Sequence, residues 1–255
     1  MVIAAEATAK LASIIASIIS NALFAHRSAV FADITSANVV GYKAEALKEG
    51  FVMVAPTFVD VADSSKGQDL TSLVAGGDYG SGDISVQTLT ELGETDVMFE
   101  FVKDRKGRWF WRNADTGDEI SEGDVNFAYG TGLWVSGVEN AQLTVAGQVS
   151  TADVVINLRE GFVAAGNMTP VAVDLTALVP GGDYGSGDIS VQTLTELGET
   201  DVMFEFVKDR KGRWFWRNAD TGDEISEGDV VFAAGVGLWI SGVDGAALTV
   251  PGVAL

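Results

Sequence analysis

A block of fifty residues occurs twice in this chain without a single difference, and this duplication constrains the fold more than any other feature. Residues 76–125 and 181–230 are identical, at an offset of 105. The similarity continues downstream, where residues 127–147 correspond to residues 232–252 with several substitutions. Solenoid repeats are only about 20–45 residues long, so an offset of this size indicates two tandem domains.

The duplication also places the domain boundaries. We predict a leader at residues 1–33, a first domain at residues 34–149 and a second domain at residues 150–255. The second domain is a duplicate of the first, so each should have the same fold. Each is close to the length at which a domain folds by itself.

Within each block the apolar residues alternate with a period of two. In DVMFEFVKDRKGRWFWR (96–112), alternate positions carry aromatic side chains on both sides of KDRKG (103–107). If KDRKG is a five-residue hairpin loop, Phe101 lies opposite Trp109 and Glu100 can pair with Arg108 or Arg112. Other short apolar runs are separated by Gly, Asp and Asn. The sequence therefore predicts a mainly β fold, with a β-sandwich or small barrel in each domain.

The leader has a different period. Its apolar residues recur with the spacing of one helix face, so an N-terminal α-helix is predicted; they are Leu11, Ile14, Ile15, Ile18, Ile19 and Leu23. Its uncharged run is too short to form a stable transmembrane span. One interpretation is a secretory signal peptide that ends at the small residues near Ala32. The other is a retained helix that packs against its copies in neighbouring subunits.

Several segments carry a resemblance to a known family. These are SANVVGY (36–42), LKEGFVMVAPTF (47–58) and GLWVSG with LTVAGQV (132–137 and 143–149). Together they resemble secreted bacterial surface proteins built from tandem β-repeats, in which each unit closes with a G-x-G-[FL]-W pattern. That pattern occurs here at Gly130–Trp134 and again at Gly235–Trp239. The resemblance implies an exported protein with a β-repeat fold and brings no catalytic residues.

Composition excludes several function classes. The formal net charge of −20 disfavours nucleic acid as a partner, because binding to phosphates requires clustered cations. The chain has no Cys and a single His, which removes thiolate nucleophiles and most Ser–His and multi-His metal sites. No pair of carboxylates is singled out by its spacing, as a glycosidase would require. We therefore expect a protein that is not an enzyme and has no resident cofactor.

Two binding functions stay open as alternatives. Oxygen-bearing side chains alternate with Gly at Asp78, Asp83, Asn113, Asp115, Asp118 and Glu119 and at their duplicates, which would suit a Ca²⁺-stabilised secreted module. The same residue types are also ordinary turn formers. Trp134 and Trp239 stand near the end of each domain, where they could bind surface glycans as a bivalent adhesin.

The cations are concentrated at the two predicted hairpins. The candidate self-association residues there are Lys103, Arg105, Lys106, Lys208, Arg210 and Lys211, in addition to the apolar residues of the leader. A basic tip can dock on an acidic patch of a neighbouring copy, with charge complementarity fixing the register. The main hypothesis is therefore an extracellular or cell-surface structural protein that assembles with itself into a filament or surface layer.

Overall fold

The computed structural model describes residues 40–59, 67–195 and 197–253, all within one compact unit, Asn38–Leu255. The described part is mainly β, as predicted, and every pairing between its strands is antiparallel. Its only helical segments are two short 3₁₀ turns, and none of its helices could cross a membrane. The predicted leader helix, with Leu11, Ile14, Ile15, Ile18, Ile19 and Leu23, lies outside the described residues.

The first ten strands form three sheets. Together, these three sheets are called the first repeat. A three-stranded sheet has the order β1-β10-β4, a five-stranded sheet has the order β2-β9-β5-β6-β7, and β3 pairs with β8. The strands are β1 (Val40–Ala46), β2 (Gly50–Val54), β3 (Gln68–Asp69), β4 (Val74–Gly77), β5 (Ile84–Leu89), β6 (Thr95–Lys103), β7 (Trp109–Asn113), β8 (Asn126–Phe127), β9 (Leu133–Gly137) and β10 (Ala141–Gln148).

The second repeat has the same sheets in the same order. Its sheets are β11-β20-β14, β12-β19-β15-β16-β17 and β13-β18. The strands are β11 (Val154–Asn157), β12 (Gly161–Gly166), β13 (Val173–Asp174), β14 (Val179–Gly182), β15 (Ile189–Leu194), β16 (Thr200–Lys208), β17 (Trp214–Asn218), β18 (Val231–Phe232), β19 (Gly237–Gly242) and β20 (Ala246–Val250). The 3₁₀ turns are Leu70–Ser72 and Leu175–Ala177.

In each repeat the two larger sheets enclose one hydrophobic core, so the arrangement is β-sandwich-like. In the first repeat, Leu143 of the three-stranded sheet shares this core with Val86 and Val135 of the five-stranded sheet. The residues of this core alternate along each strand, as Ile84 and Val86 do on β5. One face of each sheet is therefore turned inwards. Burying both apolar faces against each other is the main source of stability in such a fold.

The hairpin between β6 and β7 keeps the predicted faces, but the predicted register is wrong by two residues. Phe101 lies opposite Trp111, and Lys103 lies opposite Trp109, so the five-residue loop is Asp104–Arg108. The reason is local: the carboxylate Oδ1 of Asp104 accepts hydrogen bonds from the N–H groups of Lys106, at 2.8 Å, and Arg108, at 2.9 Å. These bonds close the loop one residue later than the prediction.

The two repeats contact each other through backbone as well as side chains. The N–H of Gly132 donates to the carbonyl oxygen of Ala164 at 2.8 Å, and that of Ala55 donates to Gly235 at 2.9 Å. Met53, Trp134 and Trp239 form a buried cluster that draws on both repeats. The duplicated units are therefore packed together and do not hang as separate beads.

Candidate functional site

Hydrogen bonds hold the tip of each basic hairpin in one shape. In the first repeat, the N–H of Gly107 donates to the carbonyl oxygen of Asp104 at 3.0 Å, and the N–H of Lys103 donates to the Ser81 hydroxyl at 2.9 Å. Asp209 and Ser186 make the same bonds in the second repeat. The tips are thus ordered loops that present their side chains from a defined backbone.

Three of the five cations of the first hairpin are engaged within the repeat. The guanidinium of Arg108 donates to both carboxylate oxygens of Glu119, at 2.5 and 2.7 Å, and Arg112 pairs with Glu100 at 2.7 Å. The Lys103 ammonium lies 5.5 Å from the centre of the Trp109 ring, which is a cation–π distance. The Glu100–Arg112 pair is one of the two that the sequence predicted.

The corresponding three cations of the second repeat make the same contacts. Four of the six predicted tip cations are therefore left for contacts outside the described part of the chain. Lys208 lies 5.4 Å from the centre of the Trp214 ring. The four remaining cations are exposed, and their side chains form no ion pair with any described residue; they are Arg105, Lys106, Arg210 and Lys211. Each tip therefore offers one adjacent Arg–Lys pair to solvent.

The paired residues at the tips show the electrostatic effect of their partners. Hydrogen bonds from Arg108 hold the pKa of Glu119 below its ordinary value, and Arg213 does the same to Glu224. The pKa of Asp104 is also lowered, first by the hydrogen bond from the Arg108 backbone N–H. These carboxylates stay ionised at neutral pH and neutralise the guanidinium groups that they bind.

The opposite end of β7 carries exposed acidic residues. The side-chain oxygen of Asn113 accepts hydrogen bonds from the N–H groups of Asp115, at 2.9 Å, and Thr116, at 3.0 Å, so the strand ends in an Asx turn. The carboxylates of Asp115 and Asp118 are exposed and form no ion pair with described residues. We call this turn the acidic base of the hairpin, with Asp220 and Asp223 as its duplicate.

Three of the calcium candidates, Asp83, Asn113 and Glu119, are already engaged within their repeat. Oδ2 of Asp83 accepts a hydrogen bond from the N–H of Gly80 at 2.5 Å, and Glu119 is occupied by Arg108. Among the described residues, no three His, Asp or Glu side chains are grouped so that they could hold a metal ion. Calcium binding stays an untested prediction, without a coordinating group in the described part of the chain.

Trp134 and Trp239 meet at one place, in a cavity of ≈ 380 Å³ between the repeats. Phe51 stacks on Trp134 with ring centres 5.4 Å apart, and Phe162 stacks on Trp239 at 5.2 Å. Both indoles are largely buried, with 8% and 6% of their surfaces exposed. The two Trp residues that were predicted to serve separate binding sites therefore share one composite site.

The duplication makes the cavity nearly symmetric. Leu89, Leu92 and Gly93 of the first repeat line it together with their counterparts Leu194, Leu197 and Gly198 of the second. The turn that contains Gly93, and its duplicate with Gly198, each lie close to the Trp of the other repeat. A Cβ on Gly93 would lie 3.3 Å from Cζ2 of Trp239, and one on Gly198 would lie 3.3 Å from Cζ2 of Trp134. Both glycines have positive φ, at +81° and +80°, a backbone conformation that side chains rarely adopt.

Sequence reasoning did not identify the apolar rim of this cavity. Leu92 and Leu197 are 77% and 79% exposed, which is unusual for large apolar residues in a chain with a net charge of −20. The available signal was the leucine inside the otherwise polar turn segment TELGET (90–95 and 195–200). The residues of the acidic bases were predicted from the sequence only as calcium ligands.

Comparison with known proteins adds no information about function. No protein-family model matches this chain, and neither a curated protein nor a solved structure matches it.

Proposed function

We propose that this chain is a non-enzymatic structural protein, exported to the cell surface or the extracellular medium, that associates with itself into a filament or layer. The observation that carries the proposal is the separation, along each β6–β7 hairpin, of exposed charges that form no ion pair with a described residue. Arg105 and Lys106 lie at its tip, whereas Asp115 and Asp118 lie at its base. The five residues of β7, roughly 17 Å long, separate the two ends.

Opposite charges at the two ends favour contacts between the tip of one copy and the base of another. Such a head-to-tail contact is heterologous, and it produces an open polymer whenever the rotation between copies does not close a ring. The duplication gives every chain two tips and two bases. Contacts through both repeats would strengthen the association by avidity, without requiring any single ion pair to be strong.

The apolar leader is a second proposed contact. A retained helix could pack against its copies in neighbouring chains through the residues predicted from its spacing, Leu11, Ile14, Ile15, Ile18, Ile19 and Leu23. If the leader is instead removed as a signal peptide, the hairpin contacts are the only ones proposed. Intact mass of the native protein distinguishes these two cases.

The alternatives receive less support from the geometry. A bivalent glycan-binding adhesin needs two separated sites, whereas Trp134 and Trp239 line one cavity. A calcium-stabilised module needs a group of oxygen ligands, and no three acidic side chains of the described residues are grouped in this way. Self-association is therefore the function that we carry forward.

Charge reversal tests the proposed contact. In the tip variant, Arg105, Lys106, Arg210 and Lys211 are replaced by Glu, and in the base variant Asp115, Asp118, Asp220 and Asp223 are replaced by Lys. Sedimentation velocity and negative-stain microscopy then follow assembly at low and high salt. Because like charges now meet, each variant should stay dispersed under conditions in which the parent chain assembles, and salt should weaken assembly of the parent.

The combined variant is the matched control. Its eight charge reversals cancel, so it keeps the net charge of the parent chain, −20. It should assemble again, because each reversed tip now faces a reversed base. Normal assembly of the two single-end variants would refute the hairpin contact, as would a parent chain that stays monomeric at high concentration.

A further inference from the structure

The cavity between the repeats has the size and lining of a ligand site. Its volume, ≈ 380 Å³, falls in the range of about 300–1,000 Å³ that is common for small-molecule pockets. Two stacked aromatic pairs and four leucines supply most of its side-chain lining. A pocket of this kind gains binding energy by removing the apolar surface of a ligand from water.

Two polar side chains line the described wall, Gln87 and Thr95, and both are already hydrogen-bonded. The Thr95 hydroxyl donates to the side-chain oxygen of Gln87 at 2.7 Å, and the Gln87 amide approaches the Ser85 hydroxyl at 3.4 Å. No charged side chain is among the described residues that line the cavity. An ionic group of a ligand would therefore find no counter-charge inside the cavity, and only its apolar part suits the interior.

The turns that contribute to the wall carry acidic residues next in sequence to the lining residues, and a further acidic residue of the first turn, Glu91, pairs with Arg159 at 3.6 Å. Glu94 lies between the wall residues Gly93 and Thr95, and Glu199 follows the wall residue Gly198. Both are exposed, and neither forms an ion pair with a described residue. With the net charge of −20, they favour a positive charge and disfavour a negative one near the cavity.

We infer that this cavity binds a small cationic amphiphile, a molecule with an alkyl or aromatic group joined to an ammonium head. The apolar group occupies the space between the Phe51–Trp134 and Phe162–Trp239 pairs. The ammonium head stays at the rim, near Glu94 and Glu199. The exposed Leu92 and Leu197 cover the part of the ligand between these two regions. One ligand binds per chain, because both repeats contribute to a single cavity.

Three probes with one tail and different heads test the inference: hexyltrimethylammonium, hexyl glucoside and hexyl sulfate. Isothermal titration calorimetry of the full chain, below the concentration at which these probes aggregate, measures the affinity and stoichiometry of each. We expect one hexyltrimethylammonium per chain, weaker binding of the glucoside and no saturable binding of the sulfate. The preference for the cation should decrease at high salt because its origin is electrostatic.

Variants separate the two parts of the site. Glu94→Gln with Glu199→Gln should weaken binding of the ammonium probe about fivefold at low salt and leave the glucoside unchanged. Leu92→Gln with Leu197→Gln should weaken binding of both probes, and both residues are exposed enough to be replaced without loss of the fold. The control Val179→Gln, at a residue that is also exposed but does not line the cavity, should change neither.

The possible results either support or overturn the inference. Equal affinity for all three probes, or tighter binding of the glucoside, would overturn the cationic ligand class. Absence of saturable binding, or binding that ignores the leucine substitutions, would overturn the site itself. The tip and base residues of the hairpins do not line this cavity, so failure here would leave the proposal of self-association standing.

Discussion

At the residue scale, most charged groups of the hairpins form contacts within their own repeat, and only a few are exposed without an ion-pair partner among the described residues. Arg108 illustrates the first kind, because it binds Glu119 with two hydrogen bonds and Asp104 with a third, at 3.4 Å. Lys106 illustrates the second. The distinction matters because only unpaired charges can contribute strongly to a contact with another copy.

The Arg108–Glu119 pair and its duplicate predict a specific pH dependence. A carboxylate whose pKa is lowered by folding stabilises the folded state above its unfolded pKa, which is about 4.3 for Glu. This contribution is lost as the pH falls through the lower folded pKa. Glu119→Gln with Glu224→Gln should therefore destabilise the chain slightly at neutral pH and make the decrease in melting temperature below about pH 4 less steep.

The control for this prediction removes the same amount of charge from unpaired positions. Glu122 and Glu227 are exposed and form no ion pair within the described part of the chain. Glu122→Gln with Glu227→Gln relieves the repulsion that a net charge of −20 creates to the same extent. It leaves the Arg108–Glu119 pair intact, so this double variant should retain the acid sensitivity of the parent. Identical melting curves for the two double variants would contradict the role of the pair.

At the scale of elements, the period of two predicts which face of a strand is buried but leaves the register open. A shift of two residues between β6 and β7 puts the same side chains on the same faces, so alternation cannot detect it. The carboxylate of Asp104 decides the register by accepting hydrogen bonds within the loop. Such loop hydrogen bonds depend on backbone geometry, which spacing alone does not reveal.

The aromatic cavity was beyond sequence reasoning for a related reason. Trp134 and Trp239 lie 105 positions apart, and they meet only because the duplicated units pack face to face with near symmetry. The sequence predicted both domains but contained no signal for their mutual orientation. In contrast, the faces of β6 and β7 depend on neighbouring residues and were predicted from the sequence.

The packing of β7 predicts unequal contributions to stability from its two Trp residues. Trp111 lies in the core and is 3% exposed, whereas Trp109 is only partly buried and packs on Phe101 and Tyr79. Trp111→Ala should lower the free energy of unfolding by about 3–5 kcal/mol, since a large buried side chain leaves a cavity. Trp109→Ala should cost clearly less. Urea denaturation measures both, and equal losses would contradict the packing.

At the scale of the whole molecule, close backbone contacts bring the two repeats together. A Cβ on Gly132 would lie 2.6 Å from the carbonyl oxygen of Ala165, which belongs to the second repeat. Because the obstacle is backbone, it cannot move aside as a flexible side chain would. Gly132→Ala should therefore destabilise the chain by about 1–3 kcal/mol, measured by urea denaturation.

Gly181→Ala provides the matched control for this substitution. A Cβ at Gly181 meets nothing within 4 Å, and its backbone does not have the positive φ that side chains avoid. Its effect should stay within about 0.5 kcal/mol of zero or be slightly stabilising. If both alanine variants were equally stable, the close packing of the repeats would be wrong.

The central claim, that hairpin tips of one chain contact acidic bases of another, can be tested by zero-length cross-linking. A carbodiimide joins a Lys amine directly to a carboxylate that it touches, and a mixture of ¹⁵N-labelled and unlabelled chains identifies links between molecules by mass spectrometry. The account predicts mixed-isotope links from Lys106 or Lys211 to the turns that carry Asp115, Asp118, Asp220 and Asp223, decreasing at high salt. Links found only within single chains, or mixed links that avoid these turns, would contradict it.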